Sequence, residues 1–252
     1  MAGRPCLNTI HHRGKRMTKV VFIHGPGAGG CGEAFAYQLQ AFPASLAPTL
    51  PGHPDGTPCA TVERYAEWLR GWLWSQGQPR DLVLVGYTLG ACVGLQYGLD
   101  YPNEVKALVL MTVAMRPKER AGGALELRLR AADDPATYQT WLDSQRHAMM
   151  FVAPELREHL IECHKAVGPI SQLRDLVTID QFDVRDRIHK LRPPLLLIRG
   201  LDDPGAPPEY ELEIHRAVPN SRYLKFKNAG HFPMAEKPEE VNRAIKDFLG
   251  ED

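Results

Sequence analysis

Three short segments carry the residue types of nucleophilic acyl transfer. Gly86-Tyr87-Thr88-Leu89-Gly90 sets a hydroxyl between two glycines. Gly200-Leu201-Asp202-Asp203 offers a carboxylate, and Asn228-Ala229-Gly230-His231-Phe232-Pro233 offers an imidazole. A hydroxyl becomes a nucleophile when an imidazole removes its proton and a carboxylate holds that imidazole in the right tautomer. Singly, each signal is weak. Paired glycines are common, a histidine after a strand is more often structural than functional, and a carboxylate there is usually a solvated cap. Jointly they say more, because each segment follows a predicted strand, in the order hydroxyl, acid, base. Open parallel sheets place their sites at the carboxyl ends of such strands.

The elements that must position these residues are legible from hydrophobic runs. Lys19-Val-Val-Phe-Ile23 reads as a buried strand feeding the Gly-rich loop His24-Gly25-Pro26-Gly27-Ala28-Gly29-Gly30. Residues 33–41 are helical in composition, and Ser45-Leu46-Ala47 suggests a short second strand. Leu50 to Pro58 is dense in turn formers. Thr61 caps a predicted helix to about Ser75, whose apolar stripe is Val62, Tyr65, Trp68, Leu69 and Trp72. Further strands are predicted at Leu82–Val85, Ala107–Met111, Pro194–Ile198 and Ser221–Lys225. A helix follows the first of these to about Asp100, and Pro238 opens a last one with Glu239 and Glu240 in its first turn. This alternation predicts an α/β fold, a mostly parallel sheet flanked by helices. Residues 1–18 form an N-terminal extension, 19–114 with 191–252 the core, and 115–190 a helical cap that includes a helix from Pro154 to Val167. Between a strand and a helix, the glycines of Gly86-x-Thr88-x-Gly90 suit a tight turn that strains the central residue and exposes its oxygen.

With these motifs in this order, the sequence resembles the α/β-hydrolase superfamily over about residues 19–249. The likeness is carried by His24-Gly25 and its loop, Leu50-Pro51-Gly52-His53, Gly86-Tyr-Thr-Leu-Gly90-Ala91, Gly200-x-x-Asp203 and Gly230-His231-Phe232. It implies Thr88 as nucleophile, His231 as base and Asp203 as acid, with Asp202 the alternative acid. It implies a carboxylic-ester hydrolase acting through a covalent acyl-enzyme on small to medium, fairly apolar substrates. Lactone, thioester or carbon–carbon cleavage, or a hydrolysis-impaired small-molecule binder, stand as alternatives. Two departures from the family are specific. Thr88 occupies a position usually held by Ser, and its extra methyl stiffens χ1. Pro26 occupies the position after His-Gly that normally donates an N–H to the oxyanion, and proline has none. Leu89 N–H remains as one donor, leaving Gly27, Ala28 or another group for the second.

Tyr87, Trp141, Met149, Met150 and Phe232 are candidate substrate-binding residues, against the alternative of plain packing between cap and core. His24 and His53 read as loop organisers and Cys92 as small helix packing. His147, His159 and His164 lack a metal-ligand partner set in the linear sequence, so no metal is expected. Gly25-Pro-Gly27 is followed by no G-K-[ST], so no nucleotide cofactor is expected either. The 252 residues hold 30 Lys+Arg against 30 Asp+Glu, a balance that excludes a general nucleic-acid binder. At 44% hydrophobic the chain is no disordered segment, yet no apolar run is long enough to span a membrane. Five cysteines without a CxxC pair, at 6, 31, 59, 92 and 163, point to reduced thiols and a cytoplasmic protein. A monomer or homodimer is expected.

Overall fold

The computed structural model describes residues 19–27, 32–118 and 124–250. The extension over 1–18, with Cys6, and the candidates Ala28 and Cys31 lie outside these residues.

Five strands form one sheet: β1 (Lys19–Ile23), β2 (Leu82–Tyr87), β3 (Val105–Met111), β4 (Leu195–Gly200) and β5 (Arg222–Phe226). They lie in sequential order and every pairing is parallel. Near-continuous apolar runs are what a sheet covered on both faces requires. The period of two then divides each run between two cores. Val21, Ile23, Leu82, Leu84, Leu108, Leu110, Leu195 and Leu197 face α2 (Val62–Ser75), α3 (Leu89–Asp100) and α8 (Glu209–Ala217). Val20, Phe22, Val83, Val85, Val109, Met111, Leu196 and Ile198 face the other core, with α1 (Ala36–Ala41), α9 (Pro233–Glu236) and α10 (Pro238–Leu249). Each fully buried Val, Leu or Ile contributes about 1.5–3 kcal/mol, so this double layer dominates the stability.

The predicted strand at Ser45–Ala47 is reduced to a single bridge, in which Leu46 exchanges hydrogen bonds with Val20 and Phe22. Pro48 has no N–H with which to lengthen the ladder. Thr61 caps α2 as expected, its hydroxyl accepting the Arg64 N–H at 3.3 Å.

Among the described residues between β3 and β4 run four α-helices and no strand: α4 (Ala124–Asp133), α5 (Pro135–Ala148), α6 (Pro154–Val167) and α7 (Pro169–Gln181). They attach unequally. Leu160 and Ile161 of α6 join one sheet core, and Ile179 of α7 joins the other. The α4–α5 hairpin instead packs around its own small cluster of Ala131, Trp141 and Leu142.

Candidate active site

Thr88 sits between β2 and α3 with φ 47° and ψ −107°, a region that a β-branched residue enters only under constraint. The constraint comes from its glycines. A Cβ on Gly86 would lie 2.3 Å from the Gly90 carbonyl oxygen, and one on Gly90 would lie 2.0 Å from that of Ile23. Strand and helix therefore approach until only hydrogen fits between them, and the turn lifts Thr88 toward the cavity above the sheet. Thr88 Oγ1 is buried and makes no hydrogen bond within the protein. Leu89 is the first residue of α3, so its N–H has no partner within the helix.

The acid and the base come together through another close approach. A Cβ on Gly200 would lie 2.2 Å from the Gly230 carbonyl oxygen, so the turn carrying His231 packs directly on the end of β4. His231 Nδ1–H donates to both carboxylate oxygens of Asp203, at 3.0 and 2.9 Å, and Asp203 Oδ1 also accepts the Gly205 N–H at 2.7 Å. The neighbouring Asp202 is exposed. Burial pushes the Asp203 carboxyl up, but the charge and hydrogen bond of His231, the Gly205 N–H and the Arg199 charge together outweigh it. The carboxyl is held below its ordinary value, as an ionised partner for an imidazolium requires. Arg199 fixes this loop, donating to the Ala206 carbonyl and pairing with buried Glu211 at 3.0 Å.

Glu236 of α9 supports the histidine loop by accepting the Gly230 N–H. Burial, with the Asp203 and Asp202 charges, raises its carboxyl to about 7 against its two backbone hydrogen bonds.

Thr88 and His231 line one cavity with about 320 Å³ of empty space, shared with Pro26, Gly27, Tyr87 and Phe232. The Tyr87 ring meets those of His231 and Phe232 at 5.6 and 5.0 Å. Trp141 also reaches the cavity, from α5, together with Arg128, Gln145, His164 and Gln172. Arg128, Gln145 and Gln172 escaped the sequence reading, and His164 entered it only as a histidine without metal-ligand partners. A signal for His164 did exist: Leu160, His164 and Val167 repeat at helical spacing on the buried face of α6. Met149 and Met150 do not line the cavity. Met149 is wholly buried in a sheet core, and Met150 is 43% exposed. As neighbours at a helix end they point apart, and neither points into the site.

His164 is nearly inaccessible and its Nδ1 has no hydrogen-bond partner within the protein. Trp141 packs edge-on against its ring at 4.8 Å. The His164 carbonyl accepts bonds from Tyr138 Oη at 3.0 Å and Gln172 Nε2 at 2.7 Å. Burial, reinforced by the Arg128 charge, lowers its imidazole to about 3 against a hydrogen bond to Gln172, so the ring is neutral.

Beneath the site, His24 Nδ1–H donates to the Gly25 carbonyl at 2.8 Å and Nε2 accepts the Leu50 N–H at 2.8 Å. Burial and the neighbouring His53 lower His24 to about 3 despite its bond to Gly25. It is thus neutral, in the tautomer those bonds require. His53 Nε2 meets Asp175 Oδ2 of α7 at 2.5 Å, and Tyr65 Oη donates to Asp175 Oδ1 at 3.0 Å. Both histidines organise loops, and His53 in addition links the loop to the helical segment. One grouping hidden by linear spacing is Glu33, His159 and Cys163, whose donor atoms lie within 4.8 Å of one another. His159 therefore does have potential ligand partners in space, contrary to the linear reading.

Comparison with known proteins supports the same assignment of fold. The sequence model described as "Alpha/beta hydrolase family" matches residues 20–244. RutD of Escherichia coli O9:H4 (strain HS), named for carbamate hydrolysis, is 28% identical over 174 residues, 66% of this chain. The match spans 65% of that relative's length. The pimeloyl-[acyl-carrier protein] methyl ester esterase of Aromatoleum aromaticum (strain DSM 19018 / LMG 30748 / EbN1) is 27% identical, covering 91% of this chain and 97% of its own. Among solved structures, the enol-lactonase of Burkholderia xenovorans LB400 superposes with TM-score 0.81 at 18% identity, over 94% of each chain.

Proposed function

The chain belongs to the alpha/beta hydrolase family, and from that premise we propose that it hydrolyses carboxylic esters of small to medium substrates through an acyl-enzyme on Thr88. The observation that carries this reading is the ionised Asp203 held against His231, in a cavity that also contains a strained, unpartnered hydroxyl. His231 Nε2 takes the proton from Thr88 Oγ1 as that oxygen attacks the carbonyl carbon, and Asp203 stabilises the resulting imidazolium. The imidazolium returns the proton to the leaving alkoxide. Water, activated by the same imidazole, then releases the acid and restores Thr88. Thr88 Oγ1 makes no hydrogen bond within the protein, and its bond to His231 forms as the substrate is positioned, as catalytic contacts commonly do. Tyr87, Trp141 and Phe232 supply apolar wall, with residues 115–190 acting as a cap over the sheet's carboxyl edge.

The polar side chains of Arg128, Gln145 and Gln172 favour a second reading, a carbamate in place of the ester, in line with the relative named for that activity. Matched p-nitrophenyl esters and carbamates separate the two by rate. Incubation with a p-nitrophenyl phosphonate tests the mechanism itself: the intact mass should rise by one phosphonyl group, located on Thr88. Thr88→Ala should abolish ester turnover and Thr88→Ser should raise it, by relieving crowding at the attacking oxygen. An adduct elsewhere, or a Thr88→Ala variant as active as the parent, refutes the assignment.

A further inference from the structure

An ester hydrolase of this geometry needs two hydrogen-bond donors for the oxyanion. The Leu89 N–H is one, and Pro26 lacks the N–H that usually supplies the other, which leaves Gly27 or a group outside the loop. Losing one such donor ordinarily costs about 10²–10³ in rate.

The cavity holds an unpartnered ring nitrogen. His164 Nδ1 is buried and unpartnered. The glycines on either side of Pro26 show where it lies. A Cβ on Gly25 would fall 2.1 Å from Thr88 Oγ1, and one on Gly27 would fall 2.2 Å from His164 Nδ1 and 1.9 Å from its Cε1. The attacking oxygen and the spare imidazole nitrogen thus rest on two glycines of one short loop, with only Pro26 between. Both residues line the same cavity as His231. The backbone of His164 is held through its carbonyl by Tyr138 and Gln172, and Trp141 packs in a T-shaped contact with the ring. A neutral imidazole carries one N–H, for which the Gln172 side chain competes in the free protein; an oxyanion is the stronger acceptor and draws that proton to Nδ1.

We propose that His164 Nδ1–H, delivered from α6, is the second oxyanion donor and replaces the N–H that Pro26 lacks. The inference rests on the ester-hydrolase reading. No bond is made or broken at His164: its proton stays on Nδ1 while the carbonyl oxygen gains and loses charge, and every proton transfer runs through His231. An interaction realised in the transition state lowers kcat when removed and leaves KM nearly unchanged.

The test uses the full chain with p-nitrophenyl acetate. His164→Ala should lower kcat by about 10²–10³ with little change in KM. His164→Asn, whose amide nitrogen falls near the place of Nδ1, should recover part of the loss, whereas His164→Gln, which reaches toward Nε2, should not. In the parent's phosphonate adduct, ¹⁵N NMR should show a protonated His164 Nδ1, with a coupling to the phosphorus across its hydrogen bond to the phosphoryl oxygen. The proposal is overturned by an unprotonated Nδ1 in that adduct, by a His164→Ala kcat within a few-fold of the parent, or by an effect on KM alone. The last would make His164 a wall of the substrate cavity and not an oxyanion donor. Should His164→Ala fail to fold, the NMR measurement on the parent decides alone. Failure of the broader reading looks different: the parent itself would then form no adduct on Thr88.

Discussion

At the scale of single residues, the site is an exercise in excluded methyl groups. Gly25, Gly86, Gly90 and Gly200 each stand where a Cβ would strike the Thr88 oxygen or another backbone. Thr88, by contrast, keeps one methyl more than its turn needs. Glu236 gives this scale its pH dependence. Its carboxyl is raised to about 7 in the folded chain, against an ordinary value near 4.5. The folded state therefore holds this proton more tightly than the unfolded state. The stabilisation is complete below about 4.5 and is lost as pH rises through about 7. Glu236→Gln keeps an oxygen to accept the Gly230 N–H and cannot ionise. The difference in Tm between variant and parent should therefore grow in the variant's favour from mildly acidic to mildly alkaline buffer. A constant difference would mean that Glu236 ionises in the fold at no cost.

Among the elements, strands and their loops were the most legible. Lys19–Ile23 and Leu82–Val85 announce themselves as unbroken apolar runs, and the motifs after them need only local backbone geometry. The resemblance to a known family then assigned their roles. The partnership of His53 with Asp175 was not legible, because 122 residues separate them and nothing local to either marks the other. Two of the five expected wall residues failed for a related reason. Met149 and Met150 are apolar residues in the right segment, but which neighbour of a helix end turns inward is decided by packing, and here neither enters the site. The His53–Asp175–Tyr65 contact ties α7 to α2 and to the loop before it. Asp175→Ala leaves a buried imidazole and phenol without their common acceptor, and should destabilise the protein by about 3–5 kcal/mol in urea unfolding. Asp175→Asn, which can still accept from Tyr65, should cost less. Equal losses would show that shape and not hydrogen bonding is what Asp175 supplies.

For the whole molecule, the balance of charge and the double-sided sheet describe a rigid platform with one working edge. Among the described residues no helix is long and apolar enough to cross a membrane. The platform and the helices above it differ in how they are held. Because α6 and α7 contribute to the sheet cores while α4 and α5 share a cluster of their own, native-state hydrogen exchange should be faster in the α4–α5 amides than in α6, and slowest in β2 and β3. Uniform protection across all four helices would contradict this division.

The same division bears on how such a protein changes over time. Trp141 and Gln145 overlook the chemistry from the less anchored hairpin, whereas His164 and Gln172 belong to helices rooted in the platform. Replacing side chains on the hairpin alters what the cavity admits without disturbing the foundations. New specificities are therefore most accessible through α4 and α5, with the reaction itself left in place.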